Sequence, residues 1–276
     1  MARSRWFGNG GVQMNPEKIK KRLFEHYGAI IKDNPNIIYL ALQGSQNYGL
    51  DYEDSDIDTK ALVVPPFRSI VLNHKPVSYT HIMENDEHCD VKDVRLMFDC
   101  FKKQNINFLE ILFSDYFLVN ERYKEEVQLL RERADDIAHY NNYAAVNCMA
   151  GMAMEKFKAL KHPYPTIKWK IDKWGYDGKQ LHHILRMEQF LSDYIESYPF
   201  ETCLTSFPKY DKAFLIAVKT NFLSLEVAEA MAKESMGRIN KMKKDYMENV
   251  PLLVDKEVGE LMNDILFSIF KKAYNI

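Results

Sequence analysis

A glycine-serine pair between two apolar runs, followed by two aspartates spaced two apart, restricts this chain more than any other feature. The first run, Ile37-Ile38-Tyr39-Leu40-Ala41-Leu42, is β-branched and aromatic at its start. It ends just before Gly44-Ser45, as a buried strand entering a turn does. The second run, Ile57 to Val64, stops at Pro65-Pro66, which cannot continue a central strand. Between them stands Asp54-Ser55-Asp56-Ile57-Asp58. Side chains alternate faces along a strand, so Asp56 and Asp58 point the same way, roughly 6–7 Å apart. Two acids so placed repel unless a cation lies between them. Hard carboxylate oxygens suit magnesium, which is usually held by one or two carboxylates plus substrate phosphates. Gly44 lets the backbone approach a phosphate, and the turn amides with the Ser45 hydroxyl make an anion cradle.

A surface turn of solvated acids (Asp51, Glu53, Asp54, Asp56 and Asp58) is the plainer alternative for these residues. Gly44-Ser45 eleven residues before Asp56, with a strand on each side, argues against it. The arrangement resembles the polymerase-β-type nucleotidyltransferases, whose motif is Gly-Ser, a spacer, then Asp-x-Asp on a strand. That resemblance implies a metal-dependent enzyme that moves a nucleoside monophosphate from an NTP to an acceptor.

The 276 residues suffice for one large domain or two modest ones. Hydrophobic content of 46% with 28% charge describes an ordinary globular composition. No apolar run is long enough to span a bilayer. Arg3 and Arg5 lack a following apolar signal core, which argues against secretion. Cys89, Cys100, Cys148 and Cys203 form no Cys-x-x-Cys pair, so a reducing cytoplasm is expected and a zinc site is not. A net charge of −2 argues against a protein that coats nucleic acid, while leaving room for a local basic patch.

Residues 1–13, with Gly8, Gly10 and Gly11, read as a flexible leader. Asn15-Pro16-Glu17 predicts a capped helix to about Lys32. Strands are expected at the two runs above, near 69–72, near 77–82 and around 88–94. Helical spacing dominates from Arg95 onward, interrupted by an expected loop over 161–177. The fold class is therefore α+β: a polymerase-β-type mixed-sheet nucleotidyltransferase domain over 14–125, then an α-helical domain over 126–276.

Nucleotidyl transfer calls for a third carboxylate from another strand, to complete a second metal site and help deprotonate the attacking group. Asp90 opens the alternation Asp90-Val91-Lys92-Asp93-Val94 and suits that role. Asp93 falls on the opposite face and is suited to capping the next helix. Asp86 and Glu87 read as a solvated hairpin tip. Tyr48 is expected to pack against the turn. Lys60, on the same face as Asp58, can touch phosphate or pair with an acid.

A second constellation runs Gly175-Tyr176-Asp177-Gly178-Lys179-Gln180-Leu181-His182-His183-Ile184-Leu185-Arg186. On a helix Lys179, His183 and Arg186 form one cationic stripe able to grip a triphosphate or an RNA end. Tyr-Asp-x-Lys with the following histidine and arginine is similar to the RNA-ligase-associated (RlaP-type) branch of these nucleotidyltransferases. So is Asn105-Ile106-Asn107-Phe108-Leu109-Glu110-Ile111-Leu112-Phe113, next to the branch's Asn-Pro-Asn-x-x-Glu-Leu-Leu, with Ile106 in place of proline. Lys219-Thr220-Asn221 stands where the branch carries Arg-x-Gly. The resemblance spans roughly residues 37–275. It implies Mg2+ (two ions, with Mn2+ able to serve) at Asp56, Asp58 and Asp90. It also implies nucleotide contacts from Gly44, Ser45, Lys179, His183 and Arg186, ATP as the NTP, and RNA end processing as the setting; the alternatives are nucleotidylation of a protein or small molecule, or a catalytically silent nucleotide- or RNA-binding module. Residues Asn105 and Glu110 are suited either to locking the local junction or to binding ligand.

Overall fold

The computed structural model describes residues 14–51 and 55–276. The expected leader and Asp54 lie outside the described residues. Asn15 caps α1 (Pro16–Ile31) by accepting the Glu17 amide, with proline at the first helical position as anticipated. Then come β1 (Ile37–Gln43), the single turn α2 (Ser45–Tyr48), β2 (Asp58–Val63), α3 (Phe67–Val71), β3 (Ser78–Ile82) and β4 (His88–Asp93). Helices α4 (Val94–Lys102) and α5 (Ile106–Leu109) lead through a 3-10 turn to the short β5 (Phe117–Val119).

The sheet is mixed, in the order β3-β4-β2-β1-β5. The β2–β4 pair is parallel and the other pairs antiparallel. Both of its faces are covered, which explains why Ile37 to Leu42 is apolar without alternation. On one face Ile19, Leu23 and Ile30 of α1 pack on Leu40, Leu42, Ala61, Val63 and Val91. The other face presents Tyr39, Ala41 and Leu62 to α4 and to the helical half of the molecule. Along β2 the even positions Asp58, Lys60 and Leu62 therefore look toward the helices, and the site lies on that side.

The helical half comprises α6 (Lys124–Glu132), α7 (Ala134–Ala138), α8 (Asn142–Ala159), α9 (Lys168–Trp174), α10 (Gly178–Ile195), α11 (Phe200–Thr205), α12 (Lys212–Lys219), α13 (Leu225–Asn249) and α14 (Lys256–Tyr274). Helix α10 runs through the middle, packed on α8, α12 and α13. Its start requires a glycine. A Cβ at Gly178 would sit 2.1 Å from the Val218 carbonyl oxygen and 3.0 Å from the Asn221 amide nitrogen. Asn221, at the position where the family pattern has glycine, adopts φ 60°, a conformation asparagine tolerates better than most residues. Its side-chain amide donates to the Tyr176 carbonyl at 2.7 Å. Among the described residues no helix is long and apolar enough to cross a membrane.

Three sequence expectations need correction. Residues 69–72 lie in and just after α3, not on a strand, because Pro66 at its N-cap turns the chain into a helix with no buried residue. The expected loop over 161–177 contains α9, which likewise has no fully buried residue, sets only Trp174 partly against the core, and so leaves no apolar stripe to read. Glu87 is not a solvated hairpin residue. Its carboxylate is buried against Arg22 (2.6 Å) and His26 (3.1 Å) of α1, while Asp86 does occupy the turn with φ 64°.

Candidate nucleotide-binding cleft

Gly44 ends β1 in a backbone conformation, φ 99° and ψ −153°, that L-residues scarcely populate. Space is not the reason for glycine here, since a Cβ would meet nothing closer than 3.8 Å. The conformation is. The turn after it is tied down from two sides: Asn47 donates to the Leu42 carbonyl (2.9 Å), and Ser114 donates to the Asn47 side-chain oxygen (2.9 Å). Ser45 is the first residue of α2, and Gly44 takes the N-cap position. The Gly44 amide donates to Glu110 at 3.2 Å. Glu110 is only 3% exposed, its second oxygen has no hydrogen-bond partner among the described residues, and burial pushes its carboxyl up to about 8.

Asp58 opens β2, and Asp56 stands just before the strand, exposed, with buried Ile57 turned the other way. The alternation expected of these acids holds although the strand is shorter than anticipated. Asp58 accepts the His88 amide at 2.8 Å. Burial nevertheless raises its carboxyl above the usual range, and the charge of Asp56 adds to the rise. Asp90 sits on β4 opposite Lys60 of β2, on the same face. It accepts the Thr80 hydroxyl at 2.6 Å and lies 3.6 Å from the Lys60 ammonium. Lys60, only 4% exposed, also contacts the Gln43 side-chain oxygen and lies 4.9 Å over the Phe108 ring. Of its two expected roles, the pairing of Lys60 with an acid is present, and the residue also lines the cleft. Asp93 faces away, caps α4 by accepting the Arg95 amide, and pairs with that guanidinium.

These groups line a cleft of about 470 Å3 between the sheet and the helical half. The far wall carries Lys179, His183 and Arg186, which the fold brings opposite the carboxylates as the helical spacing suggested. The stripe is not uniformly cationic. Burial, then the neighbouring His182 and Arg186, holds the His183 imidazole well below its ordinary value, so it is neutral near pH 7. Arg186 is 6% exposed and its guanidinium carbon lies 3.4 Å from the centre of the Tyr48 ring. Tyr48 thus packs beneath the turn as expected, and also seats the arginine. Burial lowers Arg186 to about 10, which leaves it charged.

Lys219 also lines the cleft; it donates to the Leu50 carbonyl at 2.8 Å, and burial lowers it to about 8. The Lys219-Thr220-Asn221 departure from Arg-x-Gly therefore keeps a cation in that wall. Lys156 and Lys170 complete the basic side. Lys219 and His182 line the cleft without being among the nucleotide contacts expected from the sequence, and Glu110, which suited either role there, accepts the Gly44 amide at the junction. The motif positions of Glu110 and Lys219 were the available signal, and what was missing was their burial.

The chemistry of the donor set fits a hard divalent cation. Among the described residues no three His, Cys, Asp or Glu side chains are gathered closely enough to hold a metal by themselves. Asp56 and Asp58 are instead a pair whose mutual repulsion a cation would relieve, with phosphate oxygens to fill its remaining positions.

No curated protein matches this chain. A nucleotidyltransferase-like protein of known structure from Exiguobacterium sibiricum 255-15 is 9% identical, with 84% of this chain and 76% of that chain covered at a TM-score of 0.29. So distant a likeness carries no weight here. The model of the RNA repair pathway DNA polymerase beta family, RlaP, matches residues 17–188, from α1 through the Lys179–Arg186 segment. The chain belongs to that family and is a nucleotidyltransferase of the polymerase-β type.

Proposed function

We propose that the cleft binds an NTP, ATP in the first instance, and transfers its nucleoside monophosphate to an RNA end. The observation that carries this reading is the meeting, in one cleft, of the Gly44-Ser45 turn, the Asp56, Asp58 and Asp90 carboxylates, and the cations of α10. Gly44 and Ser45 would cradle the β- and γ-phosphates with turn amides and hydroxyl. Lys179 and Arg186 would balance triphosphate charge from the opposite wall, and neutral His183 would offer a hydrogen bond there. Asp56 and Asp58, with Asp90, would hold two magnesium ions, or manganese in their place. Bound there, the ions would supply charge neutralisation on the transferring phosphoryl group. The acceptor hydroxyl oxygen attacks the α-phosphorus, the bond to the bridging oxygen breaks, and pyrophosphate leaves. The hydroxyl proton passes to Asp90, which Thr80 and Lys60 hold in place. The four free cysteines support a reducing, cytoplasmic setting.

Incubation of wild type and Asp58→Ala with α-labelled ATP, magnesium and RNA tests the reading. Label on RNA from wild type only is the expected result. Equal turnover in both proteins would overturn it, and label on protein or a small molecule would replace the acceptor while keeping the transfer.

A further inference from the structure

Helix α9 and the loop before it put costly apolar surface into solvent. Trp169 is 57% exposed and Tyr164 48% exposed. No residue of α9 is fully buried, and only Trp174 of its two tryptophans packs, partly buried, against the core. The rings are nevertheless arranged. Trp169 lies 5.5 Å from Trp174, and Tyr164 lies 4.1 Å from His162. Pro163 and Pro165 flank Tyr164 and restrict the loop that presents it. Cations are interleaved with the rings, Lys173 at 4.3 Å from Trp174 and Lys170 at 5.8 Å from Trp169. Lys158, Lys161 and Lys168 are exposed around them. Three of these lysines are paired with acids: Lys161 with Glu229 and Lys168 with Asp172 at the surface, and Lys170 with the buried Asp177 at 3.4 Å. The two exposed pairs contribute little.

We propose that α9 and the 161–167 loop form a stacking platform for single-stranded nucleic acid, set so that the end of the strand enters the cleft. Aromatic faces accept any unpaired base, and a basic surface tracks the backbone. Direction comes from Lys170 and Lys156, because both line the cleft that holds Asp56, Asp58 and Asp90, and Lys170 also lies against Trp169. An acidic peptide would satisfy the lysines and leave the rings bare. A membrane surface would take tryptophan and lysine together, but could not follow the lysines down into a cleft. The delivery of an acceptor end rests on the proposed nucleotidyl transfer. The platform itself does not.

The whole chain has three tryptophans, two of them in α9, so intrinsic fluorescence reports on the platform. Oligouridylate is expected to quench it and to bind with a steep salt dependence. Trp169→Ala and Tyr164→Ala should each weaken binding about 5- to 150-fold, equivalent to ~1–3 kcal/mol per stacked base, and Trp169→Phe should retain most of it. Both side chains are exposed, so melting temperature and the ATP-induced thermal shift should stay at wild-type values. Oligothymidylate in parallel distinguishes an RNA strand from a DNA strand on the same surface. Equal binding of duplex RNA, polyglutamate or phosphatidylserine vesicles would overturn the platform, as would Trp169→Ala affinity within about twofold of wild type. Trp169-dependent oligouridylate binding without label transfer from ATP would leave the platform standing and remove the transfer reading. Transfer to another acceptor with no oligonucleotide binding would do the reverse.

Discussion

Replacing Glu110 by glutamine separates two properties that this buried acid combines. The side-chain oxygen that accepts the Gly44 amide is retained, and the ionisable group is lost. The carboxyl ionises at 4.5 in an unfolded chain and at about 8 in the fold, with burial the main cause and Arg186 opposing it. Between those values the folded protein keeps a proton that the unfolded chain has given up, so stability falls as pH rises through that window. At 1.36 kcal/mol for each pH unit, the cost of the buried acid is nil at pH 4.5, ~3 kcal/mol at pH 7 and at most ~5 kcal/mol at pH 8 and above. Glu110→Gln should therefore match wild type near pH 5 and gain on it steadily to pH 8, after which the gap stays constant. Urea unfolding of the two proteins from pH 5 to 9, without nucleotide or metal, measures this. A gap that does not change with pH, or a glutamine variant that loses ground as pH rises, refutes the reasoning. Glu110→Ala, which also removes the acceptor, should fall below Glu110→Gln at every pH by about 1 kcal/mol.

The other expectations concern packing, backbone and a buried imidazole. Gly178→Ala forces a methyl into the Val218 carbonyl and should cost ~1–3 kcal/mol in urea unfolding while displacing Lys179, so ATP affinity should fall with it. Gly44→Ala meets free space but a forbidden conformation, and should cost ~1–3 kcal/mol from strain alone, with loss of ATP binding by calorimetry exceeding any loss of fold. Tyr48→Leu removes the ring under Arg186 and should lower stability by ~0.5–2 kcal/mol beyond the loss of area, read from chemical denaturation. His182 donates from Nδ1 to the Leu215 carbonyl, and burial lowers it from 6.5 to about 3. The unfolded chain therefore binds the extra proton, and the contribution of His182 to stability should drop as pH falls below 6.5, by ~2 kcal/mol at pH 5, opposing the gain from Glu110. His182→Asn, which keeps a donor, should gain on wild type by that amount between pH 6.5 and pH 5 in urea unfolding.

The parts of the fold that were legible in the sequence are those in which local pattern and tertiary position agree. The unbroken apolar run of β1 matched a strand covered on both faces. The spacing of Asp56 and Asp58 indicated a shared face, and β2 turns that face to the cleft. Helices α10, α13 and α14 declared themselves through apolar stripes. Segments without a buried side left no such trace, which is why α3 and α9 went unread. Ionisation states escaped for a different reason. The neutrality of His183 and the raised carboxyl of Glu110 come from burial in the assembled fold, and Glu87 is buried against α1, distant in the chain. No window of neighbouring residues contains that information.

The larger apolar cluster runs without a break from Tyr39 and Leu62 on the sheet to Met262 and Ile269 in α14. A recombination event that transplanted the sheet alone would carry half of an interior and half of a cleft, with Tyr48 facing water where Arg186 had been. Inheritance of this activity is therefore expected to proceed by the cleft as a unit, not by the sheet as a module. The extent of the family match agrees, since it does not stop where the strands stop but continues past Arg186. Beyond that point α12 still contributes Lys219 to the cleft, while α13 packs against α10 and α14 against α4 and α6.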